Sequence, residues 1–114
     1  MQLDLKAPPM VLIVMSGPAQ GKRIPLDHSF LLGRDESSEI PFHDERVSRH
    51  HAMVEVHDGQ PSIRDLGSKN GTFVNGREIE DQQPLQADDR VRLGKTLMAV
   101  AILERSPGQQ ELVS

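Results

Sequence analysis

Apolar residues along this chain fall in short continuous or alternating runs, each closed by a turn signal, and nowhere keep the spacing of an amphipathic helix. Met10 to Met15 is continuous, rich in β-branched residues and ended by Ser16-Gly17-Pro18, so it predicts a buried strand. Lys22 to Leu26 and Ser29 to Gly33 predict two more, joined as a hairpin across Asp27-His28. Asp35 to Arg46 is polar except at Ile40, Pro41 and Phe42, the pattern of a long surface loop with one short strand in it. Ala52 to His57 and Pro61 to Leu66 alternate on either side of Asp58-Gly59. Thr72 to Val74 and Arg77 to Ile79 flank Asn75-Gly76, which supplies the positive φ angles of a type I′ turn, so two further hairpins are expected. Gln82 to Asp89 predicts a polar connection, and Arg90 to Leu93 and Thr96 to Leu103 predict two closing strands. About ten short strands and no helix make the fold class all-β, with a sandwich as its architecture.

The ends have no such pattern. Residues 1–9, with Pro8-Pro9, read as a flexible leader, residues 10–104 as the domain, and residues 105–114, with Ser106-Pro107-Gly108, as a disordered tail or linker. At 114 residues, one domain with one core is the expectation. That core must be aliphatic, since there is no Trp or Tyr and only three Phe.

Composition narrows the chemistry. The absence of Cys removes disulfide scaffolds, thiolate catalysis and cysteine-bound metals, and is compatible with a reducing, cytoplasmic setting. Thirteen Lys plus Arg against 17 Asp plus Glu, a net charge of −4, is not the footprint of a nucleic-acid binder. The apolar run at Met10 to Met15 is too short to span a membrane, so no membrane partner is expected. His50 and His51 are adjacent and would point to opposite faces of a strand, which argues against a metal site, and no cofactor is indicated. Asp44 and Asp65 have no accompanying nucleophile or oxyanion arrangement and read as turn or surface carboxylates, so no enzymatic activity is expected.

What remains is a set of donors at strand ends. Gly33-Arg34, Val47-Ser48-Arg49-His50-His51 and Ser68-Lys69-Asn70-Gly71-Thr72 each place small or polar residues where loops leave predicted strands. Arg34, Ser48, Arg49, Lys69 and Asn70 offer guanidinium, hydroxyl, ammonium and amide groups, which together suit an oxyanion such as phosphate. Lys69-Asn70-Gly71-Thr72 lacks the glycine spacing and the following helix of a P-loop.

Gly33-Arg34, Ser48-Arg49-x-His51, Asn70-Gly71-Thr72 and Asn75-Gly76, in this order on an all-β pattern, resemble the forkhead-associated (FHA) domains over roughly Val11 to Leu103. The resemblance implies a β-sandwich of two antiparallel sheets, ten or eleven short strands, with binding loops at one end that take phosphothreonine peptides. It implies that Arg34 and Ser48 hold the phosphate, that Arg49 touches phosphate or peptide, and that Asn70 hydrogen-bonds the peptide backbone. Ser68 and Lys69 join that phosphopeptide-binding set, Lys69 standing where many members carry Thr and so replacing a hydroxyl with a charge. Gly33, His51, Gly71, Asn75 and Gly76 would support the site structurally.

The function so implied is a non-catalytic, phosphothreonine-dependent protein-binding module, its partners phosphorylated by a Ser/Thr kinase. Two alternatives stand beside it. One is a regulatory amino-terminal input domain of a larger signalling enzyme, motivated by the linker-like residues after Ser106. The other is a phosphate-independent scaffold.

Overall fold

The computed structural model describes residues 9–103, and their regular structure is entirely β. The expected leader, apart from Pro9, and the expected tail lie outside those residues. Ten strands follow in order: β1 Met10–Val14, β2 Arg23–Pro25, β3 Phe30–Leu32, β4 Ala52–His57, β5 Gln60–Asp65, β6 Thr72–Val74, β7 Arg77–Glu78, β8 Gln82–Pro84, β9 Arg90–Leu93 and β10 Thr96–Ile102. They form two antiparallel sheets, ordered β2-β1-β10-β9-β6-β7 and β3-β4-β5-β8.

Strand alternation explains how the sheets meet. Leu12, Val14, Met98 and Val100 from the larger sheet and Leu32, Val54 and Ile63 from the smaller share one buried cluster. Burial of each such side chain is worth about 1.5–3 kcal/mol relative to exposure, and aliphatic residues carry most of that burial. β1 is buried on both faces, Val11 as well as Leu12 being nearly inaccessible, and paired along both edges, to β2 and β10, which fits its continuous apolar run.

Register brings the three motif-bearing loops to one end. Leu32 pairs with Ala52 and Ala52 with Asp65, so residues 33–51 and 66–71 leave the same edge of the smaller sheet. The second of these loops enters β6 at Thr72, which pairs with Leu93, and Leu93 pairs with Thr96, so the β9–β10 turn belongs to this end too. The turns at Asp58-Gly59 and Asn75-Gly76 lie at the other end, all four residues with positive φ. There the N–H of Leu103 donates to the carbonyl of Pro9 at 2.8 Å.

Three expectations need correction. β2 and β3 are not a hairpin: they belong to different sheets, and the connection crosses the sandwich, with Leu26 and Phe30 turned into the core on either side of it. Residues 35–46 contain no strand; Ile40 and Phe42 are anchored in the core, and Glu39 N–H donates to the Leu31 carbonyl at 2.9 Å without a ladder developing. The polar connection after Ile79 does contain a strand, β8, whose residues are all exposed because it is an edge strand paired only to β5.

Candidate functional site

The loop end is built on a hydrogen-bond frame that starts from two side chains the fold buries or half-buries, His51 and Asp65. His51 is inaccessible to solvent. Its Nδ1 accepts the N–H of Ser48 at 3.0 Å, which leaves the ring proton on Nε2 to donate to the Gly71 carbonyl at 2.8 Å. One imidazole therefore ties the loop of residues 33–51 to the loop of residues 66–71. Asp65 organises the second loop by accepting from the N–H groups of Gly67 and Ser68 at 3.0 Å each, from the Ser68 hydroxyl at 2.6 Å and from the Thr72 hydroxyl at 2.7 Å. Burial pushes the Asp65 carboxyl up, but the donors on Ser68, Thr72 and Gly67 outweigh it and hold the group below its ordinary range.

Gly33 fits where no other residue does. A Cβ there would stand 1.9 Å from the Arg49 carbonyl oxygen, because the backbone N–H groups of Arg34 and Asp35 reach across to the carbonyls of Ser48 and Arg49, each at 3.1 Å. This close approach sets Arg34 beside Ser48. The Arg34 guanidinium donates through Nε to the Val47 carbonyl at 2.5 Å, and its two terminal NH2 groups have no partner among the described residues. The Ser48 hydroxyl accepts the Lys69 N–H at 3.0 Å, which leaves its own hydrogen free to donate. Asn70 donates to the Arg46 carbonyl at 2.9 Å, and its Oδ1 has no partner among the described residues. Side chains on three different chain segments thus present unused donors and one unused acceptor around one place. The Lys69 side chain is exposed beside them.

Arg49 and Ser68 stand differently. Arg49 is exposed but donates to Asp35 at 3.0 Å, and the carboxylate of Asp35 also takes the N–H and hydroxyl of Ser37, at 3.0 and 2.5 Å. Those Ser37 contacts first, and Arg49 next, hold the Asp35 carboxyl well below the usual range. Ser68 faces inward: its hydroxyl donates to Asp65 and accepts the Gly71 N–H at 2.9 Å, so both of its capacities are used within the loop. Gly71 has φ +91°, and a Cβ there would meet the Glu78 carboxylate at 2.6 Å. Asn75 and Gly76 are remote from this cluster, in the type I′ turn at the other end.

Asp44 and Asp65, read above as turn or surface carboxylates, do close turns, and what sequence reasoning did not see is that they also brace the loop end. The signal for Asp65 was Asp65-Leu-Gly-Ser68, the spacing of a side-chain-closed turn. Asp44 accepts the N–H of Arg46 at 2.9 Å and of Lys95 at 2.6 Å; these two donors lower its carboxyl, and they fasten the loop of residues 33–51 to the β9–β10 turn.

A family model for the FHA domain matches residues 30–94. The chain is 40% identical over 93 residues to an oxoglutarate dehydrogenase inhibitor of Corynebacterium efficiens; the match takes in 81% of this chain and 65% of that relative, so the chain spans less than two-thirds of its length. Among solved structures, the FHA domain of the CT664 protein from Chlamydia trachomatis superposes with a TM-score of 0.75 at 36% identity, covering 84% of this chain and 99% of that one. Mycobacterium tuberculosis EmbR in complex with a low-affinity phosphopeptide gives a TM-score of 0.75 at 26% identity over 87% of this chain and 26% of its own.

Proposed function

Because the chain belongs to the FHA domain family, we propose that it is a non-catalytic module that binds a phosphothreonine-containing segment of a partner protein at the end of the sandwich formed by residues 33–51 and 66–71. The observation that carries this reading is the set of unused donors on Arg34 and Ser48, held in place by bonds that consume their other capacities. A phosphothreonine carries about −1.5 to −2 charge and three strong acceptor oxygens at neutral pH. Arg34 supplies a planar fork of donors and Ser48 a short neutral one, while Lys69 and, once released from Asp35, Arg49 supply further positive charge. Asn70 pairs with the peptide backbone through its free Oδ1 and remaining amide hydrogen. Ser68 has no part in contacting the ligand; with Asp65, His51, Gly33 and Gly71 it holds the loops.

The phosphothreonine is not one of this chain's own 114 residues. The sequence contains two threonines, Thr72 and Thr96, and both are buried, Thr72 completely. The reading takes the ligand from a phosphorylated partner protein, which implies a Ser/Thr kinase acting on that partner. The name of the Corynebacterium relative, an inhibitor of a dehydrogenase, supports a regulatory part for the chain. No helix among the described residues is long and apolar enough to cross a membrane, and the Cys-free chain suits action in the cytoplasm.

Affinity should be roughly micromolar, since a small loop-borne interface must offset lost rigid-body freedom. Titration of labelled phosphothreonine peptides and their unphosphorylated twins into wild type and Arg34→Ala tests the reading. Expected are binding that depends on the phosphate and a loss of at least about tenfold in the variant, since a hydrogen bond to a charged group is worth roughly 1.5–3 kcal/mol. Equal binding of the twins, or by the folded variant, would defeat it.

A further inference from the structure

The two sheets turn different outer faces to solvent. On the smaller sheet the outward polar groups bond to one another: Glu55 accepts from Arg64 at 3.1 Å and from Gln82 at 3.2 Å, and Gln82 also donates to Ser62 at 2.8 Å. On the larger sheet, alternation turns Leu12, Val14, Met98 and Val100 into the core and their neighbours Ile13, Leu97, Ala99 and Ala101 outward. Met15 and Leu97 are exposed and Ile13 and Ala101 half-buried, while the small side chain of Ala99, nearly inaccessible, leaves the middle of the stripe low. The result is an apolar stripe two strands wide along β1 and β10.

Arginines border that stripe on both sides. Arg23 stands in one cross-strand row with Ile13, Ala99 and Arg90, and Leu97 stands in the next with Arg92 and Phe73. Arg92 lies over the Phe73 ring, 4.2 Å from its centroid, which holds its charge on this face. Arg90 and Arg92 each donate once to a carbonyl, of Asp88 and Gly94, but among the described residues none of the three exposed arginines is paired with a carboxylate. Strands β2, β1, β10 and β9 contain no Asp or Glu, so a chain of net charge −4 carries a basic face with an apolar centre. The one acid in the sheet, Glu78 on β7, lies past Phe73 and against Gly71.

The dimensions fit a helix. Neighbouring strands lie about 4.8 Å apart, so the arginines of β2 and β9 are separated by about 14 Å. A helix with its side chains is about 10–12 Å across and lies between them with its apolar side on the stripe. A second copy seated face to face would set arginine against arginine, and the net negative charge of the chain opposes an anionic lipid surface.

We propose that this face is a second docking surface, independent of phosphate, and that its occupant is an acidic amphipathic helix of a partner protein. The apolar side of that helix packs on Ile13, Leu97 and Ala101, and its carboxylates pair with Arg23, Arg90 and Arg92. The surface stands or falls apart from the phosphothreonine reading, because residues 33–51 and 66–71 contribute none of these groups.

The test titrates isotope-labelled protein with a designed helical peptide of about 18 residues, Leu at i, i+3, i+4 and i+7 spacing and Glu along both borders, and with a twin carrying Lys for Glu. Expected are amide shifts on β1, β9 and β10 and no binding of the Lys twin. Binding should fall with salt and weaken at least about tenfold both in Leu97→Asp and in Arg23→Glu with Arg90→Glu, while phosphothreonine-peptide affinity stays within about twofold. The substituted side chains are exposed, and whichever variant keeps the wild-type melting temperature decides the matter. No binding of the acidic helix, shifts confined to the loops, equal binding of the Lys twin, or affinity retained in the folded variants overturns the proposal. Vesicles of phosphatidylglycerol and phosphatidylcholine that bind through the same arginines when the helix does not, or a wild-type dimer that Leu97→Asp dissolves, overturn it in favour of lipid or of a second copy. If phosphopeptides bind no better than their unphosphorylated twins, the phosphate reading falls and this surface is untouched.

Discussion

Two Asn-Gly pairs five residues apart are used in opposite ways. At Asn75-Gly76 both residues have positive φ, 53° and 82°, and both ends of the asparagine amide are engaged, its Nδ2 donating to Asp89 and its Oδ1 accepting the Arg90 N–H, each at 2.9 Å. At Asn70-Gly71 only the glycine has positive φ, and the amide donates once, to the Arg46 carbonyl. The first pair turns the chain and spends both ends of its amide on holding that turn to Asp89 and Arg90. The second turns the chain through its glycine alone, which frees the asparagine from the turn's geometry and leaves its oxygen open to solvent. A dipeptide that signals a tight turn keeps a free side-chain acceptor when its first residue is relieved of that task.

The comparison can be broken most forcefully at the carboxylate beneath the second pair. Asp65→Ala leaves the Ser68 and Thr72 hydroxyls without their acceptor, at about 1–3 kcal/mol for each buried unsatisfied group, so a stability loss of about 3 kcal/mol is expected in urea unfolding, together with loss of phosphopeptide binding. The same carboxylate gives a pH signature. Its folded pKa lies below the unfolded value near 4, so its contribution is present above about pH 4 and is lost as pH falls through the folded value. Wild type should lose thermal stability on acidification below about pH 4, and Asp65→Asn should flatten part of that slope, the rest coming from Asp35 and Asp44.

Exchange at the asparagines sharpens the contrast directly. Asn70→Ala should weaken phosphopeptide binding about tenfold, as expected for a lost backbone pairing of about 1–1.5 kcal/mol, with little change in melting temperature. Asn75→Ala should do the reverse, costing about 1 kcal/mol of stability through a positive φ that Ala resists, with affinity within about twofold of wild type by isothermal calorimetry. The smallest effect is expected at the exposed pair that holds Arg49. Asp35→Asn should release the guanidinium and raise phosphopeptide affinity by about two- to fivefold at low salt, the gain fading as salt screens it.

How much of this could be read in the chain depends on the kind of residue. That Arg34, Ser48 and Asn70 meet at one end of the sandwich was legible from their order at strand ends, and the hairpins at Asp58-Gly59 and Asn75-Gly76 from residues that favour positive φ. Asp65 was not, because a carboxylate that closes a turn looks like any surface acid until its four donors converge on it. Ser68 suffered the converse error: a hydroxyl in a donor-rich loop suggests a ligand contact, and only the fold turns it inward. β8 stayed hidden because an edge strand with every side chain exposed has no alternation to detect. The β2 to β3 passage was misread because a short polar link is the same signal whether the chain doubles back or changes sheets.

The hydrogen bond between Leu103 and Pro9 has a practical consequence. The two ends of the described chain leave the sandwich side by side, at the pole away from the loops. A tether, a label or a whole additional protein joined at either side would start from that pole and leave the loops of residues 33–51 and 66–71 at the opposite pole unobstructed. A tandem of such units, or immobilisation on a sensor surface through either end, should therefore leave access to the loops unchanged.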